Sequence, residues 1–175
     1  KNYGETWTKI INGIPNNFFT RVLRADPKRK GLLYSGTESG AYISFDDGLS
    51  WKSFQINLPL VPITDMTIKN NNLIAATQGR SIWIIDDLTP LHQLNKSNNN
   101  KNFHLFKPID SYRMGSPSWG GSSATQGKNH HNGVEVFFNI DQKTAENESE
   151  ISLEFLDENK NLIKKYSIND KKITS

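Results

Sequence analysis

Residues 44–51 read Ser44-Phe45-Asp46-Asp47-Gly48-Leu49-Ser50-Trp51, and this stretch decides the fold. It fits the pattern S-x-D-x-G-x-[S/T]-W. Asp46 is placed to accept hydrogen bonds from backbone N–H groups of its own turn. Gly48 supplies the backbone freedom that a tight turn requires, and Trp51 begins the next strand with its ring buried. The stretch therefore predicts a rigid turn between two strands.

Related stretches recur along the chain. Residues 2–7, Asn2-Tyr3-Gly4-Glu5-Thr6-Trp7, are a shortened copy with Asn in place of Asp, and Gly48 lies 44 positions after Gly4. Residues 36–47 align with residues 76–87 at a spacing of 40, so that Asp46-Asp47 falls on Asp86-Asp87. A period of roughly forty to fifty residues made of short strands is typical of β-propeller blades.

The fold is predicted to be all-β, with four short strands in each period. Runs of β-branched and aromatic residues are bounded by Gly, Pro and Asp turns. In the first period the strands are residues 21–25, 32–36, 41–45 and 51–56. In the second they are residues 63–68, 72–77 and 81–85, with residues 103–106 as the fourth. Residues 6–11 are expected to be a strand from a preceding blade.

The composition changes after the second period. Residues 111–132 are rich in Gly, Ser and polar side chains, which predicts a linker. Strand alternation then resumes, and a hairpin loop is expected at residues 157–161. The predicted organisation is terminal propeller blades at 1–110, a linker at 111–132, and the start of an immunoglobulin-like or fibronectin-like β-sandwich at 133–175.

The eight-residue motif resembles the Asp box, the bacterial neuraminidase repeat of sialidases, xyloglucan-cleaving glycosidases and sortilin-type receptor propellers. Residues 72–90 resemble more specifically the closing blade of bacterial sortilin-like proteins, although many of those have His where this chain has Gln78. The resemblance implies a structural role at the blade edge for five residues, Ser44, Asp46, Gly48, Ser50 and Trp51. It also implies a secreted, periplasmic or cell-envelope protein.

Composition excludes several classes of site. The 175 residues contain no cysteine, so disulfides, thiolate zinc sites and cysteine nucleophiles are excluded. The net charge is only +3 and the two signs are interspersed, which argues against a nucleic-acid partner. No apolar run reaches the length of a membrane span. The sequence contains no cofactor-binding motif, so we expect no cofactor.

Three residues are candidates for ligand binding. Arg80 and Trp83 together suit a carboxylate or a sugar ring, although an arginine between blades is often structural. Trp119, among glycines, is either an exposed ligand platform or an anchor for the linker. The expected ligand is a glycan or a peptide.

Two further patterns have a simpler structural explanation. The pairs Asp46-Asp47 and Asp86-Asp87 would suit acid/base glycoside hydrolysis, but turn formation explains them better. His130-His131 would suit a metal, but neighbours on an extended chain point in opposite directions. No catalytic or metal-binding residue is therefore predicted.

Two functions of different classes remain open. The first is a non-catalytic binding or scaffolding portion of a larger Asp-box propeller protein, partnered by further blades or by a second chain. The second is a fragment of a glycoside hydrolase whose catalytic carboxylates lie mostly on other blades. Two carboxylates about 5–10 Å apart at the central face of the propeller would distinguish the second from the first.

Overall fold

The computed structural model describes residues 2–94, 103–111, 133–147 and 151–167. Within these ranges the chain is all-β, with small antiparallel sheets, none of them closed, and two short helices. The described residues up to Gln93 form one compact unit, and those within Leu94–Asp110 and from Val134 onward belong to a second. No helix in the described ranges is long and apolar enough to cross a membrane.

The first unit contains two sheets whose strands are neighbours in sequence order. Sheet 1 consists of β1 (Thr20–Ala25), β2 (Leu33–Thr37), β3 (Gly40–Ser44) and β4 (Lys52–Ser53). Sheet 2 consists of β5 (Ile63–Lys69), β6 (Asn72–Thr77) and β7 (Ile82–Ile85). Helix α1 (Thr89–Gln93) follows sheet 2.

The two sheets repeat each other in detail. The register of β1 with β2 shifts between Thr20 and Val22, and that of β5 with β6 shifts at the matching place. At the hairpins that follow, the hydroxyl of Thr37 donates to the Gly40 carbonyl at 2.9 Å, and that of Thr77 donates to the Ser81 carbonyl at 2.6 Å. The repeat seen in the sequence is therefore a repeat in three dimensions.

One face of sheet 1 packs against one face of sheet 2 to form the main core. The buried residues shared by this core are Val22, Leu32, Tyr34, Ala41, Ile43, Ile63, Met66, Leu73, Ala75 and Leu88. Burying each large apolar side chain of this kind contributes about 1.5–3 kcal/mol. Across the interface, the Arg24 guanidinium donates to Asp65 at 2.6 Å and to the Met66 carbonyl at 2.7 Å.

The two outer faces differ in how they are covered. On sheet 1, Tyr42 packs in a smaller core with Ile14 and Trp51. On sheet 2, the outer face shows Ile82 at 66% and Ile84 at 54% exposure. No other described part of the first unit covers this apolar face.

The second unit contains two short antiparallel pairs. Strand β8 (Phe103–Leu105) pairs with β9 (Phe138–Ile140), which precedes helix α2 (Gln142–Asn147). Strands β10 (Ser152–Leu156) and β11 (Leu162–Ser167) form a hairpin. In β10 half-buried and exposed residues alternate, as the sequence pattern predicts.

Three sequence predictions about strands are wrong. Residues 6–11 form no strand, since they have no sheet partner among the described residues. The strand expected at residues 51–56 is limited to Lys52–Ser53. Residues 103–106 do not add to β7, because Phe103–Leu105 pairs with β9 instead.

Candidate functional site

The motif residues within residues 44–51 meet in a single hydrogen-bonded turn. The Asp46 carboxylate accepts the Ser44 hydroxyl at 2.8 Å, the Ser50 hydroxyl at 2.6 Å and the Ser50 N–H at 2.9 Å. The Ser44 hydroxyl oxygen also accepts the Gly48 N–H at 2.9 Å. The Trp51 indole N–H donates to the Ile10 carbonyl at 3.0 Å, so the turn is tied to an upstream segment.

These contacts account for the charge state of Asp46. The hydrogen bond from the Ser50 hydroxyl, followed by those from the Ser50 N–H and Ser44, lowers the pKa of Asp46 below its ordinary value. A carboxylate whose oxygens accept three short bonds within its own turn is poorly placed to transfer protons to a substrate. The arrangement suits a structural role.

The N-terminal copy folds in the same way. The Asn2 side chain accepts the Thr6 N–H at 3.4 Å and donates to the Thr6 hydroxyl at 2.9 Å. In the same way, the Asp46 carboxylate is hydrogen-bonded to the N–H and the hydroxyl of Ser50. Tyr3 and Gly4 have φ values of 54° and 92°, and Asp47 and Gly48 have 57° and 88°. Trp7, the counterpart of buried Trp51, is 90% exposed.

The second aspartate pair serves a different turn. The Asp87 carboxylate accepts the Thr89 N–H at 2.8 Å at the start of α1, and it accepts the Asn71 side-chain amide at 2.6 Å. Asp87 therefore caps the helix. In the described residues both aspartate pairs contribute to turns, which gives the hydrolytic alternative no support.

The candidate ligand-binding residues lie at the β6–β7 hairpin. Arg80 is exposed, and the indole N–H of Trp83 donates to the Arg80 carbonyl at 2.8 Å, which fixes the half-buried ring against the Arg80 backbone. The two residues are thus brought together. Trp119 and His130-His131 lie outside the described residues.

An apolar groove runs beside Trp83. One wall is β7 and the other is the segment after β4. The groove is lined by Ala41, Phe54, Gln55, Ile56, Asn57, Leu58, Met66, Leu73, Ala75, Trp83, Ile84 and Ile85. A groove of this composition suits an apolar or aromatic side chain.

A buried polar cluster was missed by the sequence analysis. Asp26 accepts the N–H groups of Lys28 and Arg29, both at 2.8 Å, and its second oxygen contacts the Tyr34 hydroxyl at 3.2 Å and the His92 ring at 2.9 Å. Burial favours a higher pKa for Asp26, but the His92 and backbone hydrogen bonds outweigh it and lower the pKa. The only local signal was the Asp26-Pro27 turn.

The cluster fastens α1 to sheet 1. Arg29 donates to the Leu91 carbonyl and lies over the Phe45 ring, with its guanidinium carbon 4.9 Å from the ring centre. The groups that contact the Asp26 carboxylate, namely the Lys28 and Arg29 N–H groups, the Tyr34 hydroxyl and the His92 ring, all belong to this cluster. The cluster is therefore best explained as part of the structure.

The comparisons with known proteins identify no relative. No protein-family model, no curated protein and no solved structure matches this chain.

Proposed function

We propose that this chain is a non-catalytic binding or scaffolding portion of an Asp-box β-propeller protein, with sheets 1 and 2 as consecutive blades. The observation that carries the proposal is that two sheets of the same design pack face to face. The first three strands of sheet 1 and the three strands of sheet 2 share their order, their register shift and a threonine-closed hairpin. The Asp46 and Asn2 turns support the same interpretation.

The binding surface in this proposal is the β6–β7 hairpin. Arg80 is exposed there beside Trp83, whose ring is held by its hydrogen bond to the Arg80 carbonyl. A guanidinium binds a carboxylate through paired hydrogen bonds, and an indole face packs on a sugar ring. The ligand class is therefore a glycan or peptide that carries a carboxylate.

The proposal extends to the second unit and to location. The pairs β8–β9 and β10–β11 are consistent with the start of an immunoglobulin-like or fibronectin-like sandwich. Association of such a domain with Asp-box blades suits a secreted, periplasmic or cell-envelope protein, and further blades or a second chain would be its partners.

A titration with sialyllactose, as a carboxylate-bearing glycan, tests the binding role. We expect saturable quenching of tryptophan fluorescence, and Arg80→Ala should weaken binding about tenfold or more because a charge-assisted hydrogen bond is lost. Lys52→Ala removes another exposed cation and serves as the control. Equal binding by all three proteins would exclude the hairpin as the site. Turnover of an aryl glycoside by the purified chain would instead favour the hydrolase.

A further inference from the structure

Trp51 occupies a slot that is formed by sheet 1 and an upstream segment. Its backbone N–H donates to the Asn12 carbonyl at 2.7 Å, and its indole N–H donates to the Ile10 carbonyl at 3.0 Å. The ring packs with Ile14 and Tyr42 in the smaller core and is only 6% exposed. The slot thus lies between β3 and residues 10–14.

The groove beside β7 is the matching slot in sheet 2. Its upstream wall, residues 54–58, is 44 positions after residues 10–14, and both segments turn alike. Ile14 N–H donates to the Ile11 carbonyl at 2.9 Å, and Leu58 N–H donates to the Gln55 carbonyl at 2.6 Å. Its other wall carries Trp83. Trp83 is the counterpart of Tyr42, because Trp83 pairs with Ala75 across sheet 2 and Tyr42 pairs with Ser35 across sheet 1.

Sheet 2 does not fill this slot with its own next residues. In sheet 1 the box turn and β4 follow β3. After β7, Asp87 instead caps α1, and Leu88 is fully buried in the main core. Among the described residues, no strand pairs with the outer edge of β7. An unpaired edge beside an apolar groove invites an added strand.

Residues 2–11 have the features of the missing element. They contain a box-like turn at Asn2 followed by Trp7, and Trp7 is 90% exposed. Within one copy they are held away from β7. The carbonyl groups of Ile10 and Asn12 accept hydrogen bonds from Trp51. Trp51 packs on the face of sheet 1 that is opposite to the one in contact with sheet 2.

We propose that the groove beside β7 binds Trp7 of a second copy of this chain, with residues 7–11 of that copy added to β7 as a fourth strand. By equivalence with Trp51, the Trp7 backbone N–H faces the Ile56 carbonyl and its indole N–H faces the Phe54 carbonyl.

The same docking covers both exposed faces. Ile82 and Ile84 of one copy then meet the outer face of sheet 1 in the other, where Leu23 is 48% exposed. This repeats the packing that already joins the two sheets within one chain. The contact is heterologous, since each copy uses its N-terminal segment towards one neighbour and its β7 towards another.

The inference rests on the repeat equivalence used for the proposed function, and sedimentation of the purified full chain tests it. We expect species of at least twice the monomer mass at roughly 100 µM and below. Trp7→Ala should weaken association roughly thirtyfold, because a buried tryptophan is the type of residue that dominates interfaces. Tyr3→Ala removes an equally exposed aromatic ring from the same turn and should associate like the wild type.

A mixing experiment tests the head-to-tail geometry. Ile84→Lys places a charge on the β7 surface that contacts the second copy but leaves Trp7 intact. Because Ile84 is exposed, the variant should fold. Trp7→Ala and Ile84→Lys should each be monomeric, yet an equal mixture should form a dimer that grows no further. Circular dichroism melts of each variant confirm folding.

Three results would overturn the inference: a monomeric wild-type chain, unaltered association of folded Trp7→Ala, or failure of the mixture to form dimers. Because Trp83 also lines the groove, the glycan titration is repeated on Trp7→Ala, whose groove stays empty. Glycan binding by this variant tests the proposed function alone, and sedimentation tests the inference alone.

Discussion

At the residue scale, the turn at residues 44–51 depends on backbone conformations that most side chains avoid. Asp47 and Gly48 both have positive φ, at 57° and 88°. A Cβ on Gly48 would also lie 2.7 Å from the Ile10 Cδ1 atom. The turn therefore needs glycine chiefly for its left-handed backbone, because the Ile10 Cδ1 atom ends a flexible side chain and can move aside.

Gly48→Ala is expected to lower the free energy of unfolding by about 1–2 kcal/mol through strain of the left-handed backbone. Urea denaturation measures the effect. Leu49→Ala is the neighbouring control, because Leu49 is 70% exposed and should change stability little. Similar stabilities for wild type and Gly48→Ala would contradict the positive φ of Gly48.

Tyr34 gives the fold a response to alkaline pH. Burial, followed by the charge of Asp26, raises the pKa of Tyr34 well above its ordinary value. The pKa of Tyr34 is higher in the folded chain than in the unfolded chain. Its contribution to the free energy of unfolding is therefore complete below pH ~10 and is lost as the pH rises further.

Above pH ~10 the free energy of unfolding should fall by about 1.4 kcal/mol per pH unit for this one group. Tyr34→Phe should remove that part of the slope while lowering stability at neutral pH by about 1 kcal/mol through loss of a hydrogen bond. Burial also raises the pKa of Tyr42, so Tyr42→Phe shows how much slope belongs to each residue. An unchanged slope in Tyr34→Phe would contradict the assignment.

At the element scale, locally encoded features were predictable and distant pairings were not. The turn at Asp46 and the positions of β1–β3 and β5–β7 follow from residues a few positions apart, whereas β4 is shorter than its sequence pattern predicts. The partner of Phe103–Leu105 lies more than thirty positions away, and no local pattern distinguishes β9 from β7 as its neighbour. Asp26 and His92 are 66 positions apart, and neither carries a motif.

The closeness of the two sheets also comes from a distant contact. A Cβ on Gly36 would lie 2.6 Å from Val22 Cγ1 and 2.7 Å from Ile63 Cγ2. Gly36 has no positive φ, so a larger residue is excluded here by the lack of space and not by backbone strain. The sequence shows the glycine but not the residue from sheet 2 that packs over it.

Gly36→Ala should therefore destabilise the first unit by about 1–3 kcal/mol through overpacking of the sheet interface. Gly79→Ala is an informative comparison, since its φ of 85° is strained for alanine but its Cβ would meet no atom within 4 Å. Val22→Ala removes the Cγ1 atom nearest to the new Cβ, so it should recover part of the loss in the Gly36→Ala background, whereas it should not rescue Gly79→Ala. Thermal melts of the four variants decide between a packing cost and a backbone cost.

At the scale of the whole molecule, buried apolar residues are unevenly divided between the units. The main core and the smaller core both belong to the first unit. In the described part of the second unit, Phe106 is the fully buried apolar residue, and every residue of β11 up to Tyr166 is exposed. Since burial protects backbone hydrogen bonds from opening, the two units should differ in local stability.

Amide hydrogen exchange measures this difference directly. Amides of β2 and β3, which lie in the middle of sheet 1 and are almost wholly buried, should exchange last. Those of β10 and β11 should exchange much earlier, because their hairpin opens without exposing a large core. If copies associate through Trp7, protection of β7 should also rise with protein concentration, and Trp7→Ala should abolish that rise while leaving β2 and β3 unchanged. Equal protection of β3 and β11 would show that the second unit is stabilised by contacts beyond its own buried residues.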